Sequence, residues 1–360
     1  MLLEIIPKFS TTSYSNNAYI YNMVEKNTYI IYLRVIATIF VVFIHASTGY
    51  LYHIDTQAFD WNYANWINAA TRCSVPIFVI ISGALVLPKN EQTWTFYKKR
   101  IPKILYPFIF WTIVYLIYYF YRYTKFDLLS NEKIFSISID KILHGANAHL
   151  WYLYMVVGLY LAIPFLRKIL INCSLREMEF FLLFWVLATC FTSKPIYAYM
   201  PKFDFDFFTG YIGYLVLGYY LSIRSLDFKW NTYGFALIYI IMVAISAIGT
   251  QLLNQDATKL NTFFYNYLFP TTAITAAALY LFIKELTKNK IAPRWIKIID
   301  NYSFGIYLSH IIPLSYLHPW LAKQFSTAWV IPLATFTTVI ASILITFVIR
   351  KIPYGKYVSG

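Results

Sequence analysis

The run YIIYLRVIATIFVVFIHASTGY, residues 29–50, holds two side chains that a membrane tolerates poorly, Arg34 and His45. A guanidinium is permanently charged and suits binding an anion, whereas an imidazole changes protonation near neutral pH and suits moving a proton. The two are eleven residues apart. At helical geometry they point within about 20° of each other, with roughly 16 Å between them along the axis. Snorkelling would explain Arg34 alone, and an interhelical hydrogen bond would explain His45 alone. Their common face favours a joint role, because intramembrane ionisable groups usually face a bundle interior or a watery cavity.

Four other stretches carry candidates of the same kind. In NYSFGIYLSH, Ser303, Tyr307 and His310 share one helix face, and His310 reaches a depth at which it can meet His45. In FYKKRIPKILYPF, Lys98, Lys99, Arg100 and Lys103 form a cationic collar. Membrane anchoring accounts for some of these charges, and such a cluster also suits a phosphate-bearing ligand. NAHLWYLYMVVGLY places His149 and Trp151 at the opposite membrane face, either as interfacial residues or as a platform for a sugar ring. TRCSVPIFVIISGALVLP places Arg72 near the outer end of its helix, with Ser82 and Gly83 near the inner end, where Gly83 permits close packing. No Walker loop, Rossmann fingerprint, GxSxG elbow or HExxH motif is present.

These residues need helices to hold them. The chain has 360 residues, 59% hydrophobic and only 13% charged. That excludes an ordinary soluble domain and indicates an all-α polytopic membrane protein. Ten apolar spans are expected, at 29–51, 69–87, 104–122, 150–166, 179–194, 207–223, 234–253, 263–285, 302–318 and 327–349. Residues 1–28 form a cytoplasmic N-terminal segment, 29–350 the transmembrane domain and 351–360 a cytoplasmic tail. The first span is too long for a signal-peptide core and is expected to be retained.

The net charge of +14 does not point to nucleic acid, because Lys and Arg lie in short loops between apolar runs. They concentrate on one side, around Lys89–Lys103, Arg167–Arg176, Arg224–Lys229, Lys284–Lys297 and Arg350–Lys356. Fewer occupy the other side (Arg122, Lys125, Lys133, Lys141, Lys194, Lys202, Lys259 and Lys323), so both termini are expected in the cytoplasm. Trp61, Trp66, Trp94, Trp230, Trp295 and Trp320 suit interfacial belts. Cys73, Cys173 and Cys190 lack metal-ligand spacing and read as packing residues. The composition suits an AT-rich bacterial genome, hence a multi-pass protein of a bacterial inner membrane. A homo-oligomer is compatible with the sequence.

LRVIATIFVVFIHAS, SVPIFVIISGALV, the basic run entering the third span, HLWYL and SFGIYLSH together resemble the integral-membrane acyltransferase family 3. NAATRCSVPIFVIISG is similar to its surface-polysaccharide O-acetyltransferase branch. The resemblance implies transfer of an acyl group, usually acetyl, from cytoplasmic acyl-CoA to a sugar hydroxyl of an envelope glycan. By position, the family's essential Arg and His fall on Arg34 and His45, and its Arg-x-x-Arg run falls on Arg100 and Lys103. Lysine at 103 keeps the charge but loses the planar fork.

His45 would then act as general base or as acyl-carrying nucleophile. Tyr307 or Ser303 would donate to the oxyanion, and His310 would orient the network. Arg34, Lys99, Arg100, Lys103 and Ser82 would hold acetyl-CoA, or another acyl-CoA, as co-substrate, while His149, Trp151 and Arg72 would face the glycan. No metal is expected. The residues alone leave two alternatives open, a transporter or flippase using Arg34, His45 and His310 as its path, and a scaffold component of polysaccharide assembly.

Overall fold

Without water to solvate it, a membrane-embedded backbone must satisfy its amides within the segment, and long apolar runs of this kind fold as helices. The computed structural model describes residues 13–124, 130–191, 209–224 and 231–359. Among the described residues there are helices and no strands, as in an all-α polytopic membrane protein. Residues 1–12 of the predicted N-terminal segment, Lys125, Lys194, Lys202, Lys229, Trp230 and parts of the fifth and sixth expected spans lie outside them.

The helices are α1 (Ser13–Leu51), α2 (Phe59–Thr71), α3 (Ser74–Val86), α4 (Thr93–Tyr123), α5 (Asn131–His144), α6 (Trp151–Leu170) and α7 (Leu175–Phe191). They continue as α8 (Ile212–Ile223), α9 (Asn231–Leu253), α10 (Pro270–Leu286), α11 (Arg294–Ser309), α12 (Ile311–Ala322), α13 (Thr327–Lys351) and α14 (Gly355–Ser359). Seven stretches are long and apolar enough to cross a membrane: Thr28–Leu51, Phe59–Val86, Thr93–Arg122, Asn131–Leu170, Thr232–Leu253, Phe263–Leu286 and Thr327–Lys351. They coincide with seven of the ten expected spans.

The other three expected spans are met, among the described residues, by helices of fewer than 18 residues. α7 has 17 residues, α8 has 12, and the span expected at 302–318 is divided between α11 and α12 at His310. The second span begins earlier than expected, with α2, and its break at Arg72–Cys73 puts Arg72 in mid-span rather than near an end. The polar residues Asn65 and Asn68 lower the hydropathy of α2, and both are turned inward, where they are fully buried. Trp61 also departs from the interfacial role expected of it. It is 1% exposed and donates its indole N–H to the Leu51 carbonyl, whereas Trp66, Trp94, Trp295 and Trp320 are exposed. Residues 355–359, expected as tail, form α14 against α4 and α13, and Trp111 donates to the Val358 carbonyl.

α1 is the hub, packing against α2, α3, α10, α11, α12 and α13. That position gives Arg34 and His45 protein neighbours along their whole stripe. Close packing elsewhere depends on glycine. A Cβ on Gly83 would lie 2.1 Å from the Leu215 carbonyl oxygen, and one on Gly218 would lie 2.0 Å from that of Ile80, so α3 and α8 meet backbone to backbone. Gly218→Ala should therefore destabilise the protein by about 1–3 kcal/mol. Gly158→Ala, where nothing lies within 4 Å, should be neutral in the same thermal unfolding comparison. Equal stability of the two variants would contradict this packing.

Candidate functional site

α1 and α11 lie side by side and run parallel, because two contacts between them advance together in number. At one level Arg34 Nη1 meets Asp300 Oδ1 at 2.8 Å. Eleven residues later on α1 and ten later on α11, the His45 and His310 rings lie 5.0 Å apart. The similar spacing lets both pairs form between straight neighbours at 1.5 Å per residue. Asp300 neutralises Arg34 and fixes its guanidinium, which remains about a third exposed.

His149 completes a three-imidazole cluster. Its ring is 5.0 Å from His310 and 6.3 Å from His45, with Tyr115 at 4.9 Å and Tyr307 at 5.5 Å. Two of the imidazoles are held through Nδ1. His310 Nδ1 lies 2.7 Å from the Tyr307 carbonyl, where it must donate, and His149 Nδ1 lies 3.0 Å from Asn147 Oδ1. Their Nε2 atoms are buried and have no hydrogen-bond partner. His310 sits where α11 gives way to α12, so the joint itself presents the ring. His45 differs, being half-buried with neither ring nitrogen hydrogen-bonded among the described residues. An imidazole without a fixed partner beside two further imidazoles is suited to taking, holding and returning a proton.

On the Arg34 side, a cavity of about 250 Å³ is lined by Arg34, Ser82, Lys103, Ser303 and Tyr307, with Phe78, Tyr152 and Tyr160 among its aromatic walls. Tyr307 connects this cavity to the histidines, since its ring packs against His149 and its hydroxyl donates to the His149 carbonyl. That hydroxyl is therefore committed to His149, leaving Ser303, also in the wall, as the hydroxyl with fewer ties. Tyr307→Phe should cost about 1 kcal/mol of stability and lower turnover by shifting His149. Thermal unfolding and single-turnover rates would check it, and unchanged rates would mean that His149 is held by other contacts.

The collar is divided. Lys103 reaches the cavity, while Lys99 forms an ion pair at 2.9 Å with Glu91 in the α3–α4 loop, holding that carboxylate below its usual range. Arg100 and Arg167 both lie over the Phe96 ring, at 5.6 and 5.3 Å. Buried Arg167 also donates to the carbonyls of Val86 and Glu91, which ties this loop to α6.

Trp151 faces Tyr267 and Tyr211 with ring centroids 5.6 and 5.9 Å away. The Arg72 guanidinium lies over Tyr265 and Tyr267 at 4.7 and 5.6 Å. His149, expected beside Trp151 at the outer face, instead packs inward against His45 and His310 and is only 3% exposed.

Sequence reasoning missed Asp300 and the tyrosines at 265 and 267. Asp300 left a legible signal, an acidic residue ten positions before His310 as Arg34 is eleven before His45. The tyrosines left none, because 34 tyrosines make any one of them inconspicuous.

The fold and the site together define a multi-pass helical membrane protein with an imidazole cluster, a cation-lined cavity and an aromatic platform. Residues 27–347 match the family described as an acyltransferase domain, and the chain belongs to that family. It is thus a membrane acyltransferase, which favours catalysis over the transport and scaffold alternatives. No curated protein and no solved structure matches the chain.

Proposed function

We propose that this enzyme moves an acyl group, acetyl in the simplest case, from acyl-CoA to a sugar hydroxyl of a cell-envelope glycan, with both termini in the cytoplasm of a bacterial cell. The observation that carries the reading is the unpaired His45 imidazole, flanked by His149 and His310, which Tyr307 links to the cavity that holds Arg34 and Lys103. Cationic walls at the collar end suit the phosphates of CoA, and the apolar, aromatic walls deeper in suit its thioester arm.

His45 removes the proton of the sugar hydroxyl as its oxygen attacks the thioester carbonyl. Collapse of the tetrahedral intermediate expels the CoA thiolate, which recovers the proton from His45. A second reading has specific support from the bare Nε2 atoms of His149 and His310. Here His45 first carries the acyl group, and one of its neighbours serves as base for the sugar hydroxyl.

Mass spectrometry of envelope glycans from a deletion strain, complemented with the wild type or with His45→Ala, tests the assignment. An acyl-bearing sugar should vanish on deletion and return only with the wild type, its added mass identifying acetyl or succinyl. Glycans unchanged by deletion would end the proposal.

A further inference from the structure

We propose that the acceptor is an anionic glycan whose carboxylate or phosphate group is bound by Arg72 beside His45. This rests on the reading of the protein as a glycan acyltransferase and narrows its acceptor.

The depth of Arg72 follows from the pairing of α2 with α1. Trp61 bonds the Leu51 carbonyl and Asn68 donates to Ser47 Oγ at 2.8 Å, so the helices run antiparallel. Arg72, a turn beyond Asn68, then comes within about one turn of the level of His45. It is close enough to act on that imidazole electrostatically.

Its surroundings lack the counter-charge that a half-buried cation at this depth needs. The ion pairs among the described residues are Arg34–Asp300, Lys99–Glu91 and His144–Asp140, and Arg72 belongs to none of them. Its neighbours are the faces of Tyr265 and Tyr267, with a long 3.4 Å contact from Nη1 to the Tyr267 hydroxyl, while its Nε is buried without a partner. Cation–π contacts offset desolvation only in part, and a guanidinium held in mid-membrane without a counter-charge is costly. Arg34, at the other end of the stripe, has its carboxylate partner. A bound anion would supply the missing one for Arg72, and the planar fork matches carboxylate and phosphate alike.

The same place offers a seat for the sugar. Trp151 and Tyr267 present neighbouring rings, and the Tyr267 backbone is held by the Tyr214 hydroxyl. An anionic sugar lying on these rings with its charge on Arg72 would stand near His45.

The test uses the full chain in nanodiscs, with free CoA added to occupy the donor cavity, and repeats the measurements in a Lys103→Gln background. Glucose, glucuronate and glucose 1-phosphate serve as probes in thermal unfolding. Either or both anionic probes should raise the unfolding temperature more than glucose does, and added salt should diminish the rise. Which of the two stabilises more distinguishes carboxylate from phosphate. Arg72→Gln should weaken anionic-probe binding by about tenfold or more, with Arg72→Lys intermediate.

Absence of any preference for the anionic probes over glucose in the wild type overturns the proposal, and this arm needs no variant to fold. Undiminished anionic binding in a folded Arg72→Gln protein overturns it too. So does a fall in turnover without loss of probe binding, since Arg72 would then serve the reacting oxyanion. Acetyl-CoA binding is measured in the same samples without free CoA. Its absence would count against the acyl-CoA reading, whereas its presence without anion preference would defeat only this inference.

Discussion

Replacing His45 with alanine should lower acyl transfer by about 10²–10⁴-fold while leaving the protein folded and acetyl-CoA affinity within a few-fold. The expectation of an intact fold has a structural basis. His45 is half-buried and makes no hydrogen bond among the described residues, so its removal orphans no donor or acceptor. His310 provides the contrast. It is fully buried, its Nδ1 donates at the joint between α11 and α12, and His310→Ala should lower both activity and unfolding temperature. Rates and thermal unfolding of the two variants, measured side by side, separate chemistry from architecture. Substantial transfer by His45→Ala would move the proton-handling role to His149 or His310. Rapid acid quenching of the wild type with acetyl-CoA and no acceptor decides between the two mechanisms, because only the covalent one leaves an acetyl group on the peptide containing His45.

The second large effect concerns Arg34. Its pair with Asp300 joins α1 to α11 near the cavity, and the Asp300 side chain is only 16% exposed. Arg34→Ala strands that carboxylate and should cost about 2–3 kcal/mol, less than for a fully buried pair because Arg34 itself is partly exposed. It should also weaken acyl-CoA binding, since the cavity loses one of its two cationic lining residues. These losses can be separated. Adding Asp300→Asn to Arg34→Ala removes the stranded charge and should recover most of the stability, but not the donor affinity. Recovery of both in the double variant would make Arg34 a purely structural partner of Asp300. No recovery of stability would mean that the ion pair is not what joins the helices.

Much of the architecture was already visible along the chain. Long apolar runs separated by cationic loops can only be spanning helices, because the backbone has no other way to satisfy its amides in lipid. Expensive residues within them stand out for the same reason, and the eleven-residue spacing of Arg34 and His45 put both on one face before any neighbour was known. Three-dimensional packing decided the rest. It brought His149 inward to His45 and His310, gave Arg34 a partner in Asp300, carried Arg72 to mid-span among tyrosines, and broke the span expected at 302–318 at His310. Hydropathy does not encode such pairings, since lipid chains and apolar side chains are nearly equivalent surroundings for a leucine-rich face. The register of one helix against another depends on close contacts, such as those of Gly83 and Gly218, and on polar groups that find each other across long sequence separations.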